Sequence, residues 1–363
     1  MNDNRIKVLQ IIGNARLGGV ASCLMNYFRF ADTDKFRFDF ATYGESPLDE
    51  RVKEIDPSSR IFHIPSFEKN FFKSMREIGR VCRAEKYGIV HSHMTTLSAF
   101  ALPPAAKAGV PVRICHAHSA FDKNSDRYLF KKILRPFAAK RATHLMACSA
   151  HAAKNLFRTR ADEAFLLPNA IDGAHFACSA QEHFEAKRKC GLEGRTILFV
   201  GRFAFAKNLF FLLDAFALAR RQRQMTLLLV GDGEHRPALE NAVREKGLEQ
   251  SVRLIPPADP AVWYKAADLF CLPSRYEGLG MAAIEAQAAG LPCIFSDAVP
   301  KEADISKKSI FLPLDEVRWA DAMLKDRPRH PDGDKALLRA GYEIRKEAHL
   351  LTDFYEKALG ERI

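Results

Sequence analysis

The sequence lacks any run of about 20 apolar residues, which is the length that a membrane-spanning helix needs. The apolar run close to the N-terminus, residues 6–12, is too short for a secretory signal peptide. Its β-branched content is typical of a buried first strand. We therefore expect a cytoplasmic protein without a transmembrane helix.

The sequence also lacks paired cysteines. Its eight cysteines are scattered, and no two stand at the C-x-x-C spacing of zinc-binding and thiol-redox motifs. This pattern indicates reduced thiols in a cytosolic protein. Hydrophobic residues make up 47% and charged residues 27% of the chain, a balance that excludes long disordered segments. A length of 363 residues favours two domains of similar size.

Positive charge is unevenly distributed along the chain. The formal net charge is +11, and all of the excess lies within residues 1–168. A basic half beside a neutral half predicts an anionic partner, such as lipid headgroups, a phosphate-bearing acceptor or nucleic acid. A solubilising surface is the plainer alternative. Nucleic acid is disfavoured as a partner, because the cations are not interleaved with stacking aromatic residues in a recognisable module.

Short apolar runs alternate with stretches of helical periodicity along the whole chain. This alternation predicts an α/β fold in which parallel sheets are covered by helices on both faces. The predicted strands of the first half are residues 6–12, 36–42, 60–64, 88–92, 112–115, 144–147 and 164–167. Those of the second half are residues 196–200, 225–230, 252–255, 269–272, 292–295 and 309–311.

The strand pattern restarts near residues 173–195, which indicates a domain boundary. The stretch Ala340–Leu359 is predicted to be an amphipathic helix that needs a surface to pack on. We therefore predict three regions: an N-terminal domain at 1–175, a second domain at 176–340 and a C-terminal helical segment at 341–363.

Two cations follow the first predicted strand of the second half. Arg202 comes after the strand at residues 196–200, and Lys207 precedes an apolar helix that starts near Leu209. In open α/β sheets, ligands bind outside the carboxyl ends of strands, and helix N-termini favour anions. Arg202 and Lys207 could together neutralise a diphosphate leaving group, a task that other enzymes give to Mg²⁺. By themselves, two surface cations in a loop would give the same pattern.

The segment Pro273–Pro292 again has the order strand, loop, helix. Glu277 lies in its loop, where a carboxylate can accept hydrogen bonds from sugar hydroxyls. Glu285 lies in the helix and could hold the two hydroxyls of a ribose. Backbone N–H groups near the positive end of that helix are expected to contact the ligand, from Gly278, Leu279 and Gly280.

Motifs of one family extend over nearly the whole chain. In the second half they are Gly201-Arg202, Lys207-Asn208, residues 230–234, residues 268–274 and residues 285–293. In the first half they are Gly18-Gly19, residues 90–94, residues 113–119, residues 147–149 and residues 169–172. Together they resemble the retaining GT-B glycosyltransferases of the group 1, or GT4, family, and in the first half the branch that makes capsular polysaccharides and exopolysaccharides.

The resemblance implies a GT-B fold, in which two Rossmann-like, doubly wound domains face a central cleft and the last helix crosses back onto the first domain. It implies a hexosyltransferase-type enzyme that moves a sugar from a UDP- or GDP-sugar to a glycan or lipid-linked acceptor. The anomeric configuration would be retained, and neither a metal nor another cofactor would be needed. Electrostatic stabilisation of the departing diphosphate would then supply most of the rate.

The resemblance also implies roles for individual residues. The implied donor contacts are Arg202 and Lys207 at the diphosphate, Glu285 at the ribose, Glu277 at the transferred sugar, and Gly18 with Gly19 in a loop that closes over that sugar. The family's sugar-contacting histidine follows the strand at 112–115. His118 is favoured for this role, and His116 is its alternative.

Two pairs of histidines, His91-x-His93 and His116-x-His118, each end a predicted strand. Alternation along a strand places each pair on one side of the sheet. His93 is predicted either to line the acceptor cleft or to satisfy backbone groups. A zinc site made of these four residues is disfavoured, because no Asp, Glu or Cys accompanies them at ligand spacing.

Two segments, residues 71–76 and 128–141, combine bulky apolar side chains with cations. One interpretation places them in the membrane interface, where they would admit a lipid-linked acceptor. The other makes them core helices with a basic outer face. The basic charge of the first half favours a peripheral position of the protein on the inner face of the cell membrane.

Two rival functions compete with glycosyl transfer. A sugar-nucleotide epimerase on the same fold would convert the donor without any acceptor. A non-catalytic, anion-binding partner protein would release no UDP or GDP with any acceptor.

Overall fold

The computed structural model describes residues 4–13, 19–118 and 128–361. The chain divides into two compact units. The first unit contains residues 1–170 together with 344–363, and the second contains residues 171–343.

The described part of the first unit forms one sheet of seven parallel strands, in the order β3-β2-β1-β4-β5-β6-β7. Its strands are β1 Ile6–Gly13, β2 Phe36–Thr42, β3 Ile61–His63, β4 Ile89–Ser92, β5 Val112–Ala117, β6 His144–Ala147 and β7 Phe165–Leu166. The helices that connect them are α1 Gly19–Phe30, α2 Pro47–Ile55, α3 Phe67–Glu85, α4 Ser98–Lys107, α5 Tyr128–Ala138 and α6 Ala150–Phe157.

The second unit forms a sheet of six parallel strands, in the order β10-β9-β8-β11-β12-β13. Its strands are β8 Arg195–Val200, β9 Met225–Val230, β10 Val252–Ile255, β11 Leu269–Leu272, β12 Cys293–Ser296 and β13 Ile310–Leu312. Its helices are α7 Gly173–Phe176, α8 Ala180–Lys189, α9 Leu209–Arg220, α10 Arg236–Glu245, α11 Ala261–Ala266, α12 Met281–Ala288, α13 Glu316–Leu324 and α14 Gly333–Arg339.

The strands formed where the sequence predicts them, and their ends differ by no more than two residues. β2, β4, β11 and β12 are buried at every position. A strand inside a helix-covered parallel sheet is mainly apolar on both faces, as β11 is. β2 differs, because Arg37 and Asp39 stand among its phenylalanines and form a buried ion pair 2.9 Å apart.

In each sheet the strand order reverses beside the first strand of the unit, between β1 and β4 and between β8 and β11. At such a switch point the loops leave in opposite directions and open a crevice at the carboxyl ends of the strands. The histidines of β4 and β5 lie beside the first switch point. The candidate residues that follow β8 and β11 lie beside the second.

The predicted helix Ala340–Leu359 is two helices in the structure, α15 Ile344–Glu347 and α16 His349–Gly360. Gly341 has φ of +74°, the left-handed conformation that ends α14, so the next helix begins at Ile344 rather than at Ala340. α15 and α16 are separated by Ala348 alone, whose backbone angles are themselves helical. α16 packs on the first unit, where the ring of Tyr355 lies 5.7 Å from that of Phe36. None of the helices in the described ranges combines the length and apolar character that crossing a membrane requires.

Gly231, directly after β9, lies where two backbone segments nearly touch. A Cβ at this position would stand 1.9 Å from the carbonyl oxygen of Gly201. We expect Gly231→Ala to lower the free energy of unfolding by about 3 kcal/mol, because backbone atoms would have to move. Urea unfolding followed by circular dichroism measures the loss.

Gly247→Ala is the control, since Gly247 has φ of +63° but no atom within 4 Å of the added Cβ. It should cost only about 1 kcal/mol, and equal losses would contradict the interpretation.

Candidate functional site

The loops that follow β8 and β11 bring a cation and a carboxylate together. Lys207 Nζ forms an ion pair with the carboxylate of Glu277. Ser274 Oγ donates a hydrogen bond of 3.1 Å to the same carboxylate. The backbone N–H of Arg275 donates to the carbonyl oxygen of Ala206 at 2.7 Å and ties the two loops together. The predicted phosphate-binding cation and the predicted sugar-binding carboxylate are therefore in direct contact.

Arg202 pairs with a different acid. Its side chain is 73% exposed, and its guanidinium lies 3.0 Å from the carboxylate of Glu234. Exposed ion pairs of this kind contribute little to stability, so Arg202 can exchange Glu234 for another anion at small cost. Phe203, which follows Arg202, is wholly buried and anchors this loop to the core of the second unit.

In the turn before α12, Gly278 and Gly280 carry no side chain and the side chain of Leu279 is buried. Gly280 has φ of +81° and caps the helix without a side-chain hydrogen bond. The side chain of Leu279 packs in the core, so a ligand could contact only its backbone. A Cβ at Gly278 would meet no atom within 4 Å. This turn therefore leaves open space beside the positive end of a helix.

Glu285 lies one turn inside α12. Tyr264 Oη donates a hydrogen bond of 2.8 Å to its carboxylate. Burial raises the pKa of Glu285 to about 7, and the nearby Asp259 raises it further, whereas the Tyr264 hydrogen bond and His175 oppose the shift. The carboxyl group is thus poised between its neutral and charged forms near neutral pH.

The four histidines that end β4 and β5, namely His91, His93, His116 and His118, are close together and buried. The rings of His116 and His118 stack with centroids 3.8 Å apart, and those of His91 and His93 with centroids 4.1 Å apart. His93 bonds to His118 and to Gln10, each at 2.7 Å. The expectation that His93 satisfies backbone groups is wrong, because these side chains occupy both of its ring nitrogens.

These histidines are neutral near pH 7. Burial lowers the pKa of His118 to about 3 and holds the pKa values of His91, His93 and His116 well below 6.5. Ring nitrogens of His91, His93 and His116 lie within 4.8 Å of one another, and three neutral imidazoles at this spacing could hold a metal ion. To do so, they would have to give up hydrogen bonds that they make to neighbouring side chains. The absence of a metal stays a prediction.

The predicted glycine loop of the first unit is described only in part. Gly18 lies outside the described residues, and Gly19 is the first residue of α1. The role of this loop in closing over a sugar therefore stays a prediction.

Three residues that contact these groups were missed at the sequence level: Gln10, Tyr264 and Tyr355. Each is buried. Tyr264 donates a hydrogen bond to Glu285, Gln10 is bonded to His93 and Tyr355, and the Tyr355 hydroxyl is bonded to His91. Of these three residues, Gln10 could have been noticed in the sequence, because it is a polar residue inside the apolar run of β1.

Helix α5 presents large apolar side chains to its surroundings. Leu129, Ile133 and Phe137 are 71%, 66% and 50% exposed. Their spacing of four residues places them on one face of the helix, whereas Leu134 and Ala138 on another face are buried. The outer face of this basic helix is therefore apolar as well as charged.

Two family models match the chain. They are Glycosyltransferase Family 4, over residues 17–175, and Glycosyl transferases group 1, over residues 194–325. The putative glycosyltransferase EpsF of Bacillus subtilis (strain 168) is 30% identical, over 98% of this chain and 97% of its own. The UDP-Gal:alpha-D-GlcNAc-diphosphoundecaprenol alpha-1,3-galactosyltransferase of Escherichia coli is 28% identical, over 81% of this chain and 80% of its own.

A solved structure shares the fold. Anabaena HepE, crystallised in complex with UDP and glucose, superposes with a TM-score of 0.81 over 97% of this chain and 100% of its own, at 16% identity. The GT-B fold class predicted from the sequence, with two Rossmann-like domains, is confirmed.

The raised pKa of Glu285 predicts a pH-dependent stability. Between about pH 4.5 and 7 the folded protein keeps a proton on this carboxyl group that the unfolded chain has lost. The contribution of Glu285 to stability is therefore present below pH 4.5 and is lost as the pH rises through 7, by up to about 1.4 kcal/mol per pH unit. Glu285→Gln removes this dependence. Relative to Glu285→Gln, the native protein should lose stability from pH 5 to 7 in urea unfolding. A constant difference would contradict the raised pKa.

Proposed function

Because the chain belongs to family 4 of the group 1 glycosyltransferases, we propose that it transfers a hexose from a UDP- or GDP-sugar to a glycan or lipid-linked acceptor, with retention of anomeric configuration. The activity for which the Escherichia coli relative is named, with a UDP-sugar donor and a diphosphoundecaprenol-linked acceptor, supports this substrate class. So does the UDP and glucose bound to HepE. The relation to EpsF supports a role in polysaccharide biosynthesis.

The contact between Lys207 and Glu277 is the observation that carries the proposal. A donor diphosphate placed at this edge would meet the Lys207 ammonium, the Arg202 guanidinium and the positive N-terminus of α12. Fixed charges of this kind stabilise the negative charge that develops as the diphosphate leaves. They take over the role of a divalent ion, so no metal is required.

Glu277 would contact both the protein and the sugar. Its carboxylate holds Lys207 in place and accepts a hydrogen bond from Ser274. A carboxylate has about four lone-pair sites, so Glu277 can also accept hydrogen bonds from hydroxyls of the transferred sugar. The phosphate-binding and sugar-binding groups would then move together rather than independently.

Glu285 would hold the ribose. Its ionised form can accept hydrogen bonds from both ribose hydroxyls, while Tyr264 fixes the orientation of the carboxylate. Hydrogen bonds to the charged form lower a carboxyl pKa. Nucleotide binding should therefore draw Glu285 from a partly protonated state into its ionised state.

In the first unit, His118 would contact the transferred sugar, with His116 as its alternative, and His93 would support it. Gly18 and Gly19 would close over the sugar. The acceptor hydroxyl would attack from the face on which the diphosphate departs, which retains the anomeric configuration. The leaving diphosphate would take the proton of that hydroxyl.

We expect a UDP-sugar or GDP-sugar to raise the melting temperature by roughly 5 °C at about 100-fold excess over its Kd, since a ligand that binds only the folded state stabilises it. The rise should persist in EDTA, because side chains replace the metal. Arg202→Ala and Glu285→Ala should each abolish most of it. A thermal-shift screen of nucleotide sugars measures these effects.

Arg221→Ala is the matched control for charge. Arg221 is an exposed arginine at the end of α9, and its loss should leave the shift intact. A shift that disappears in EDTA, or that survives Arg202→Ala and Glu285→Ala unchanged, would sink the proposed donor site. With an acceptor present, the sugar of the product should keep the configuration it had in the donor, as NMR coupling constants report.

The exposed apolar face of α5 supports peripheral contact with an anionic membrane. Replacing Leu129, Ile133 and Phe137 with serine should weaken binding to phosphatidylglycerol vesicles at least tenfold, because each buried side chain contributes about 1–2 kcal/mol. Co-sedimentation with the vesicles measures the change. Serine at Phe184, Val317 and Leu338, three exposed apolar residues of the second unit, is the matched control. Equal losses in both triple variants would count against a membrane role for α5.

A further inference from the structure

Six buried side chains of the first unit form one continuous chain of hydrogen bonds. In order they are His118, His93, Gln10, Tyr355, His91 and His116. The five donor–acceptor distances lie between 2.7 and 3.0 Å. The chain joins β1, β4 and β5 to the C-terminal helix α16.

Gln10 sets the direction of this chain, because its amide has a donor end and an acceptor end. Its Nε2 donates to the oxygen of Tyr355. Among the described residues, Nδ1 of His91 is the only acceptor within reach of the buried Tyr355 hydroxyl hydrogen, so this hydroxyl donates onward to Nδ1. Its Oε1 accepts from Nε2 of His93, so Nδ1 of His93 carries a lone pair.

The direction of donation from Gln10 determines the tautomer of each histidine ring, because a neutral imidazole carries a single N–H group. His91 then donates from Nε2 to Nδ1 of His116. His118 donates from Nε2 to Nδ1 of His93. Reversing one ring alone would place two N–H groups or two lone pairs face to face. The four histidines therefore share one tautomer, with hydrogen on Nε2.

The two terminal rings of this hydrogen-bonded series, His116 and His118, carry complementary unpaired atoms. Nε2 of His116 and Nδ1 of His118 are buried and have no hydrogen-bond partner among the described residues. Nε2 of His116 carries a hydrogen, and Nδ1 of His118 carries a lone pair. The centroids of the two stacked rings are 3.8 Å apart. A hydroxyl group donates and accepts at once, so it matches such a pair.

We propose that Gln10 and Tyr355 are positioning residues that hold the four histidines in one tautomer, so that His116 donates to, and His118 accepts from, a hydroxyl of the bound sugar. Burial supports this proposal, because it keeps the four rings neutral. The identity of the hydroxyl rests on the proposed function. The shared tautomer does not.

Nitrogen NMR of ¹⁵N-histidine-labelled protein tests the tautomers without substrate. We expect four rings with hydrogen on Nε2 and a bare Nδ1. The other eight histidines of the protein are not part of this hydrogen-bonded network. They can be replaced one at a time, so that the signals of the four network histidines are assigned without disturbing the network. Mixed tautomers among the four rings, or hydrogen on Nδ1 in all of them, would overturn the proposal.

Tyr355→Phe removes the hydroxyl from the middle of the chain and keeps the buried ring. His91 and His116 should lose their fixed tautomer, whereas His93 and His118 should keep theirs through Gln10. Affinity for the nucleotide sugar that gives the largest thermal shift should fall about tenfold, as for one lost hydrogen bond. Affinity for its nucleoside diphosphate alone should not change.

Tyr27→Phe is the matched control. Tyr27 is equally buried, and its hydroxyl donates to the carbonyl oxygen of Pro168 at 2.8 Å. This contact is not part of the histidine network. It should cost similar thermal stability and leave both the tautomers and the affinities as they are. Native tautomers and affinity in Tyr355→Phe, or the same changes in Tyr27→Phe, would refute the positioning role. A nucleotide-sugar screen without any shift would instead refute the proposed function, and the tautomer measurement would still stand.

Discussion

Burial of both faces of each parallel sheet is the constraint on which the rest of the structure depends. Strands such as β11 and β12 are buried at every position, so most polar chemistry is left to the loops at their carboxyl ends. Lys207 and Glu277 follow two strands that are neighbours in the sheet, β8 and β11. Their contact is therefore a result of strand order, although they are 70 residues apart in the chain.

The same constraint explains which parts of the fold could be predicted. Most strands with two buried faces are mainly apolar, such as β11, and these were recognisable without coordinates. The final helix was predicted less well, because its start was placed at Ala340, whereas the left-handed backbone of Gly341 separates α14 from α15. A periodic pattern records which side chains face the core but not the conformation of one glycine.

The candidate site was likewise predictable only in part. Glycine, acid and cation spacing pointed to Lys207, Glu277 and Glu285, because local motifs carry these positions. Gln10 and Tyr355 lie 345 residues apart in sequence, and their contact depends on α16 packing against β1 and β4. No local pattern contains such a contact, so only the folded chain reveals it.

The buried histidines separate two kinds of charge in the first unit. Its excess positive charge belongs to lysine and arginine, whereas its four central imidazoles are kept neutral by burial. In the proposed reaction the sugar becomes positively charged as the diphosphate leaves. Protonated rings beside it would raise the barrier, whereas neutral rings can bond its hydroxyls without repelling it. Basic side chains on the surface can meanwhile attract an anionic acceptor or membrane. Burying the imidazoles would thus allow one basic domain to attract an anionic partner and still accommodate the cationic sugar of the proposed reaction.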